Sequence, residues 1–325
     1  TQNVLLLIPE FQTATSFVQP PLCFLGVGTR LKEASIGFDL LDNRVYSYST
    51  TQLIDIVKRY HYIICTSSPL DQVQTYFLDH RYTIFTNTIK AIKNHIGIDQ
   101  KVIICGAHTT VRPDLVCRDV PADIFLKGEY DIQLFNLIKI ILNNGSICNM
   151  PNLIFRRNNG TLQETDVDDS LMHPNEWSNK YIDYSIISSS DYYGYQYVGN
   201  THLKKKNHSV VQASRGCPFR CIFCYNFYSH SMRYKDVDIL IRELQILSST
   251  GVEEFFFIDQ TFTVNKEFVI KLCKAMIDNS LKLRWTCETR IELIDEELIS
   301  VMKDAGYAHM GVGSANGKDK AVTWM

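Results

Sequence analysis

Three cysteines, Cys217, Cys221 and Cys224, share the run Arg215-Gly216-Cys217-Pro218-Phe219-Arg220-Cys221-Ile222-Phe223-Cys224-Tyr225. Their spacing is C-x3-C-x2-C. Thiolates that close together in one loop are a metal site far more often than an accident. A four-iron cluster fully ligated by cysteine takes four thiolates. Three leave one iron open, and an open iron can chelate a small molecule through an amine and a carboxylate. Two plainer readings stay open on spacing alone. One is a zinc knuckle with His230 or His208 as fourth ligand; the other is three unrelated core cysteines.

Such a loop needs elements to hold it. The short apolar strand Val210–Ala213 lies directly before it, and Ser214 leads into it. From Ser209 onward strands and helices alternate. Helix Val237–Leu247, with Gly251 as C-cap, leads to strand Glu254–Ile258. Helix Lys266–Ile277 leads to strand Leu283–Cys287, and helix Glu296–Ala305 leads past Gly306 to strand Ala308–Val312. This is the grammar of a (β/α) barrel, whose active site lies at the C-terminal strand ends. Those ends carry Asp259-Gln260-Thr261-Phe262 and Glu288-Thr289-Arg290. Asp259 taken alone is a helix N-cap more often than a site residue.

Residues 1–145 show a second alternation. Continuous apolar strands are expected at Val4–Ile8, Phe38–Leu41, Tyr62–Thr66, Val102–Cys105 and Ile124–Lys127. Helices are expected at Leu22–Ala34, Gln52–Tyr60, Phe85–His95, from Pro113, and at Ile132–Leu142. Short apolar strands separated by helices argue for a parallel sheet covered on both faces, with ligands at the C-terminal strand ends. Three of those ends are polar or glycine-bearing: Thr66-Ser67, Gly106-Ala107-His108 and Gly128-Glu129. Either ordinary turns or a binding edge explains them. Residues 146–206 read as a connector carrying a hairpin around Asn158-Asn159-Gly160, with Lys204-Lys205-Lys206 as a solvated turn. Residues 207–325 form the third segment.

The chain of 325 residues is 45% hydrophobic and 21% charged, enough to build sizeable cores. A net charge of −2 gives no argument for bulk electrostatic binding of nucleic acid. No apolar stretch approaches the ~18 residues of a membrane helix. Val4–Ile8 reads as a buried strand rather than a signal sequence. Cys65, Cys105 and Cys287 fall in apolar runs, a pattern suited to a reducing cytoplasm.

The cysteine spacing, with Phe223 in an aromatic slot just after a strand, resembles the signature of the radical S-adenosylmethionine (SAM) enzymes. "FFFIDQTFTVN" and "WTCETRIELID" are similar to that family's second and third strand segments, with Gln260 in place of a second aspartate. "VLLLIP", "PPL", "CGAHTTVRPD" and "FLKGEYD" look like the cobalamin-binding domain that precedes many radical SAM cores. Gly106-Ala107 stands where two glycines are usual. The Asp-x-His-x-x-Gly motif of the cobalamin mutases is absent.

The resemblance implies an α/β chain: a Rossmann-like cobalamin-binding domain followed by a partial radical SAM barrel. It implies a 4Fe-4S cluster on Cys217, Cys221 and Cys224, with Gly216 giving the loop room and Arg215 and Arg220 offsetting cluster charge. Phe223, Tyr225, Asp259, Glu288, Arg290 and Ser314 fall on the SAM side. Thr66, Ser67, Gly106, Ala107, His108, Gly128 and Glu129 fall on the cobalamin side. The implied reaction is reductive cleavage of SAM, serving methyl transfer or a radical rearrangement or cyclisation. The implied partners are a small-molecule or peptide substrate and an electron donor such as flavodoxin or ferredoxin. Two rivals remain: a radical enzyme without cobalamin, and a non-catalytic metal-binding or scaffold protein. The fourth strand reads Gly311-Val312-Gly313-Ser314, without the family's usual acid. Only about four of the six barrel units expected of such a core follow one another here. A fragment, a frameshifted end or a trimmed chain is therefore expected, with an incomplete adenine pocket.

Overall fold

The computed structural model describes residues 3–9, 18–66, 78–195, 205–222, 224 and 226–313. The chain divides into two compact units, the first running to Trp177 and the second made of the rest of the chain from Ser178 together with the short segment Ser16–Pro20.

The first unit runs β1 (Val4–Ile8), α1 (Leu22–Glu33), β2 (Phe38–Asp42), α2 (Asn43–Tyr46), α3 (Thr50–Val57), β3 (Tyr62–Thr66), α4 (Leu78–His95), β4 (Lys101–Cys105), α5 (Ala107–Val111), α6 (Pro113–Asp119), β5 (Ile124–Leu126), α7 (Tyr130–Leu142), β6 (Leu153–Arg156), β7 (Leu162–Glu164) and α8 (Asp169–Met172). Every residue of β1 is fully buried, which only a strand covered on both faces allows. The sheet order is β2-β1-β3-β4-β5-β6-β7. The first five strands are parallel, and β6 and β7 add antiparallel. The strand order reverses between β1 and β3. In such sheets that is where a crevice opens beyond the strand ends.

The hairpin expected at Asn158-Asn159-Gly160 forms, but it does not stand apart as a connector. Leu153, Ile154 and Phe155 are buried against the first core, and β6 covers the edge that β5 would otherwise expose. The boundary drawn at 145 from sequence therefore falls at 177/178 in the structure.

The second unit contains β8 (Tyr193–Tyr195), β9 (Lys205–Val211), β10 (Ser214–Arg215), β11 (Arg233–Tyr234), α9 (Val237–Ser249), β12 (Glu254–Phe257), α10 (Lys266–Asp278), β13 (Arg284–Arg290), α11 (Glu296–Asp304) and β14 (Tyr307–Gly313). Its main sheet has the order β14-β13-β12-β9-β8. Strands β9, β12, β13 and β14 are parallel and sit in chain order, the arrangement of consecutive barrel units. Lys205 and Lys206, expected in a solvated turn, instead begin β9, because β8 pairs with them.

Phe255, Phe257, Trp285 and Cys287 alternate with less buried neighbours and fill this unit's core. Phe257 stacks on Phe262 at 4.4 Å, and Trp285 Nε1 donates to Ala305 O at 2.9 Å, so the buried indole N–H is satisfied. The helices start on side-chain caps. Asp236, Asn265 and Asp295 accept from the backbone of Asp238, Phe268 and Leu298. Among the described residues no helix is long and apolar enough to cross a membrane.

Candidate functional site

The cysteine loop is a closed excursion. β10 and β11 pair antiparallel, Ser214 with Tyr234 and Arg215 with Arg233, so the chain leaves and returns at one place. Gly216 makes that possible. Its φ is +99°, and a Cβ there would lie 2.2 Å from Ser231 O. Inside the loop, Cys217 N donates to Ser229 O at 3.1 Å. Asn226 Nδ2 donates to Cys217 O at 3.1 Å and also to Ser229 O. His230 Nδ1 lies 2.9 Å from Cys217 O.

Two contacts tie the thiols to the neighbouring strand ends. Thr261 Oγ1, just past β12, lies 3.4 Å from Cys217 Sγ. Arg290 Nη1, at the end of β13, donates to Cys221 Sγ at 3.4 Å. The Cys224 thiol is pushed up by desolvation first and then by Cys217 and Cys221. Among the described residues no three His, Cys, Asp or Glu side chains form a cage for a single metal ion. A four-iron cluster gives each thiolate its own iron, and three free thiols in one loop are the kind of donor it takes. His208 is no fourth ligand. It pairs in register with Glu254 at the start of β12, away from the loop, and burial lowers its imidazole to about 4.

Asp259, expected on the SAM side, is 2% exposed and caps no helix. Its carboxylate accepts from Ala213 N at 3.1 Å, from Ser214 N, and from Ser214 Oγ at 2.5 Å. It clamps the root of the cysteine loop to the end of β12. Burial outweighs those hydrogen bonds and pushes its carboxyl up to about 6.

Arg290, expected on the SAM side, stacks on Phe219 at 4.2 Å and pairs with Glu292. Glu288 shares its face of β13, two residues earlier, and is exposed. Arg220 is exposed, whereas Arg215 is 2% exposed, donating Nε to Gln212 Oε1 at 3.0 Å with its guanidinium 4.9 Å from the Tyr228 ring. Phe223, Tyr225 and Ser314 lie outside the described residues.

A buried pair beneath the loop was not legible in sequence. Lys235 and Glu243 are both fully buried and paired, and Glu243 also accepts from Ile182 N at 2.8 Å. Lys235 N donates to Ala213 O at 2.9 Å, which ties the pair to the loop root. Thr261 was likewise passed over; its place two residues beyond Asp259 at a strand end was the available signal.

In the first unit, Thr66 closes β3, and its Oγ1 lies 3.3 Å from the Tyr130 hydroxyl. Gly106 precedes α5, Ala107 is buried, and the His108 ring lies 5.6 Å from that of Tyr82. Gly128 and Glu129 are a different case. A Cβ at Gly128 would meet Met172 Sδ at 2.8 Å, and the buried Glu129 carboxylate holds His173 Nδ1 at 2.8 Å. Both residues, expected on the cobalamin side, are packed against the chain's own Met172 and His173. Ser67 lies outside the described residues.

Residues 211–324 match the radical SAM superfamily. An uncharacterized methyltransferase of Pyrococcus horikoshii is 26% identical over 235 residues, 70% of this chain and 49% of that protein. The anaerobic magnesium-protoporphyrin IX monomethyl ester cyclase of Synechocystis is 23% identical over 306 residues, 91% of this chain and 57% of that one. The chain thus spans about half the length of these relatives. Among solved structures, the radical SAM methyltransferase TsrM of Kitasatospora setae, with cobalamin and a 4Fe-4S cluster bound, superposes with a TM-score of 0.77 at 16% identity, covering 97% of this chain and 61% of that one. The cobalamin-dependent radical SAM enzyme OxsB gives 0.73 at 14% identity, covering 98% and 44%. Both likenesses are likenesses of fold.

Proposed function

We propose, from the premise that residues 211–324 of this chain belong to the radical SAM superfamily, that it is a cobalamin-assisted radical SAM enzyme with its cluster on Cys217, Cys221 and Cys224. The observation that carries the reading is the loop. Three thiols share one excursion at the C-terminal edge of a parallel sheet, and Thr261 and Arg290 from the next two strand ends reach the sulfurs. When bound, the cofactors supply one electron to the sulfonium of SAM and a methyl carrier or ring-closing assistant in cobalamin.

The chain's own residues do the positioning. Asp259 fixes the loop root, Gly216 lets it turn, and Asn226 and His230 hold the Cys217 carbonyl. Phe223, Tyr225, Glu288 and Ser314 are assigned to the SAM side. Thr66, Ser67, Gly106, Ala107 and His108 are assigned to cobalamin. The reaction is methyl transfer to an unactivated carbon or a radical cyclisation, in the cytoplasm, with electrons from a flavodoxin or ferredoxin. The methyltransferase and cyclase names among the relatives support that pair of outcomes.

Anaerobic reconstitution of the full chain tests the cluster. About four irons per chain are expected. Replacing Cys217, Cys221 and Cys224 together by Ala removes them, while Cys273→Ala, buried in α10, does not. Iron retained by the triple variant refutes the assignment. Hydroxocobalamin is expected to bind without a protein imidazole on cobalt, and, after reduction to cob(II)alamin, a nitrogen hyperfine pattern from a protein imidazole that is lost in His108→Ala would contradict this. The reading without cobalamin draws on Gly128 and Glu129, which pack against Met172 and His173. Failure of corrinoid to bind the cluster-loaded chain would favour it.

A further inference from the structure

A guanidinium is a planar fork of five donors, and that of Arg290 is held from three directions. Its Nε and Nη2 edge pairs with the Glu292 carboxylate. Its central carbon, Cζ, lies over the Phe219 ring, 4.2 Å from the ring centre. Its remaining terminus, Nη1, donates to Cys221 Sγ at 3.4 Å. Carboxylate, ring and sulfur together leave the fork one orientation. The side chain is 23% exposed, so water only partly screens it. The contact on Cys217 is different in kind, a neutral hydroxyl from Thr261.

We propose that Arg290 is a hydrogen-bond donor to the Cys221 thiolate that raises the potential at which the cluster accepts its electron, rather than a residue committed to SAM. This rests on the cluster reading above. The free thiol of Cys221 stands here for the iron-bound thiolate. Adding one electron to the cluster increases negative charge on the ligand sulfurs. A cation donating to one of them stabilises the reduced form more than the oxidised one, which raises the potential. Glu292 and Phe219 act through Arg290 by fixing its aim.

The test is an anaerobic redox titration of the reconstituted full chain, following the paramagnetic reduced cluster, with a chemical reductant supplying one electron per cluster. Wild type is compared with Arg290→Gln, Arg290→Lys and Arg220→Gln, and SAM affinity is measured alongside by equilibrium dialysis. Arg290→Gln is expected to lower the midpoint potential. Arg290→Lys, which keeps the charge but not the fork, is expected to fall between it and wild type. Arg220 is exposed and adjacent to Cys221 in sequence, so Arg220→Gln controls for loss of a nearby charge and is expected to shift the potential less. An unchanged potential in Arg290→Gln, with weakened SAM binding, overturns the proposal and returns Arg290 to the cofactor side. Equal shifts in the Arg220 and Arg290 variants overturn it too, because bulk charge then explains the effect. Wild-type protein that takes up far fewer than about four irons refutes the cluster reading instead, and the iron count keeps the two failures apart.

Discussion

Gly216→Ala separates the cost of a backbone conformation from the cost of a crowded site. The new Cβ would stand 2.2 Å from Ser231 O, where real contacts do not fall below 3.0 Å. The chain must therefore open by about 0.8 Å between β10 and β11, a ladder only two residues long. A left-handed backbone at alanine costs ~1–2 kcal/mol. Forcing the ladder apart also strains the Cys217 N–H bond to Ser229 O, and a buried donor left unpaired costs ~1–3 kcal/mol.

The sum is on the order of 2–5 kcal/mol from those two principles. Gly251→Ala, in the same unit, is the matched control. Its φ is +83°, and nothing lies within 4 Å of the added atom, so it bears only the first cost, ~1–2 kcal/mol. Urea unfolding of the two metal-free variants measures the difference, and iron retained after reconstitution measures its consequence for the loop. Gly216→Ala should be the less stable and should lose iron, whereas Gly251→Ala should keep it. Equal stability together with a full iron complement would refute the reasoning.

The Asp259 carboxyl titrates at about 6 in the folded chain against an ordinary 3.8. The folded state therefore holds this proton across that window while the unfolded chain has lost it. The associated stability is present below pH ~4 and is lost as pH rises through about 6, some 3 kcal/mol at ~1.4 kcal/mol per pK unit. Asp259→Asn cannot titrate, so urea unfolding from pH 4 to 7 should move in the variant's favour by that order, and a pH-independent gap would show the acid ionised throughout. Lys235→Met leaves Glu243 buried and unpaired and should cost ~3–5 kcal/mol. The double change Lys235→Met with Glu243→Leu should cost less than the single one, and a larger loss in thermal stability for the double would contradict the pairing.

The helices and the two-sided strands were readable because their causes are local. Val4–Ile8 is apolar at every position, and Asn265 and Asp295 stand where side-chain caps belong. What escaped depends on residues far apart in sequence. Asp259 looks like a cap locally, and its real partners lie at Ala213 and Ser214. Gly128-Glu129 has the chemistry of a ligand edge, yet Met172 and His173 return from a later segment to occupy it. β9 begins at Lys205 because β8 offers it backbone partners, and no propensity at three lysines announces that. The cysteine loop was legible for the opposite reason: its three cysteines lie within eight residues, and the chemistry of the spacing does not wait for a fold.

The groups that hold the loop root are all made of protein. Asp259 clamps Ser214, β11 closes the excursion, and Asn226 and His230 hold the Cys217 carbonyl. A zinc finger unfolds when its metal leaves, because the metal is its core. Here the loop root is held by the protein's own hydrogen bonds, so loss of a cluster from Cys217, Cys221 and Cys224 is expected to leave the β10–β11 ladder in place. On that expectation a lost cluster could be replaced without refolding the chain, and cluster insertion could follow synthesis instead of having to accompany it.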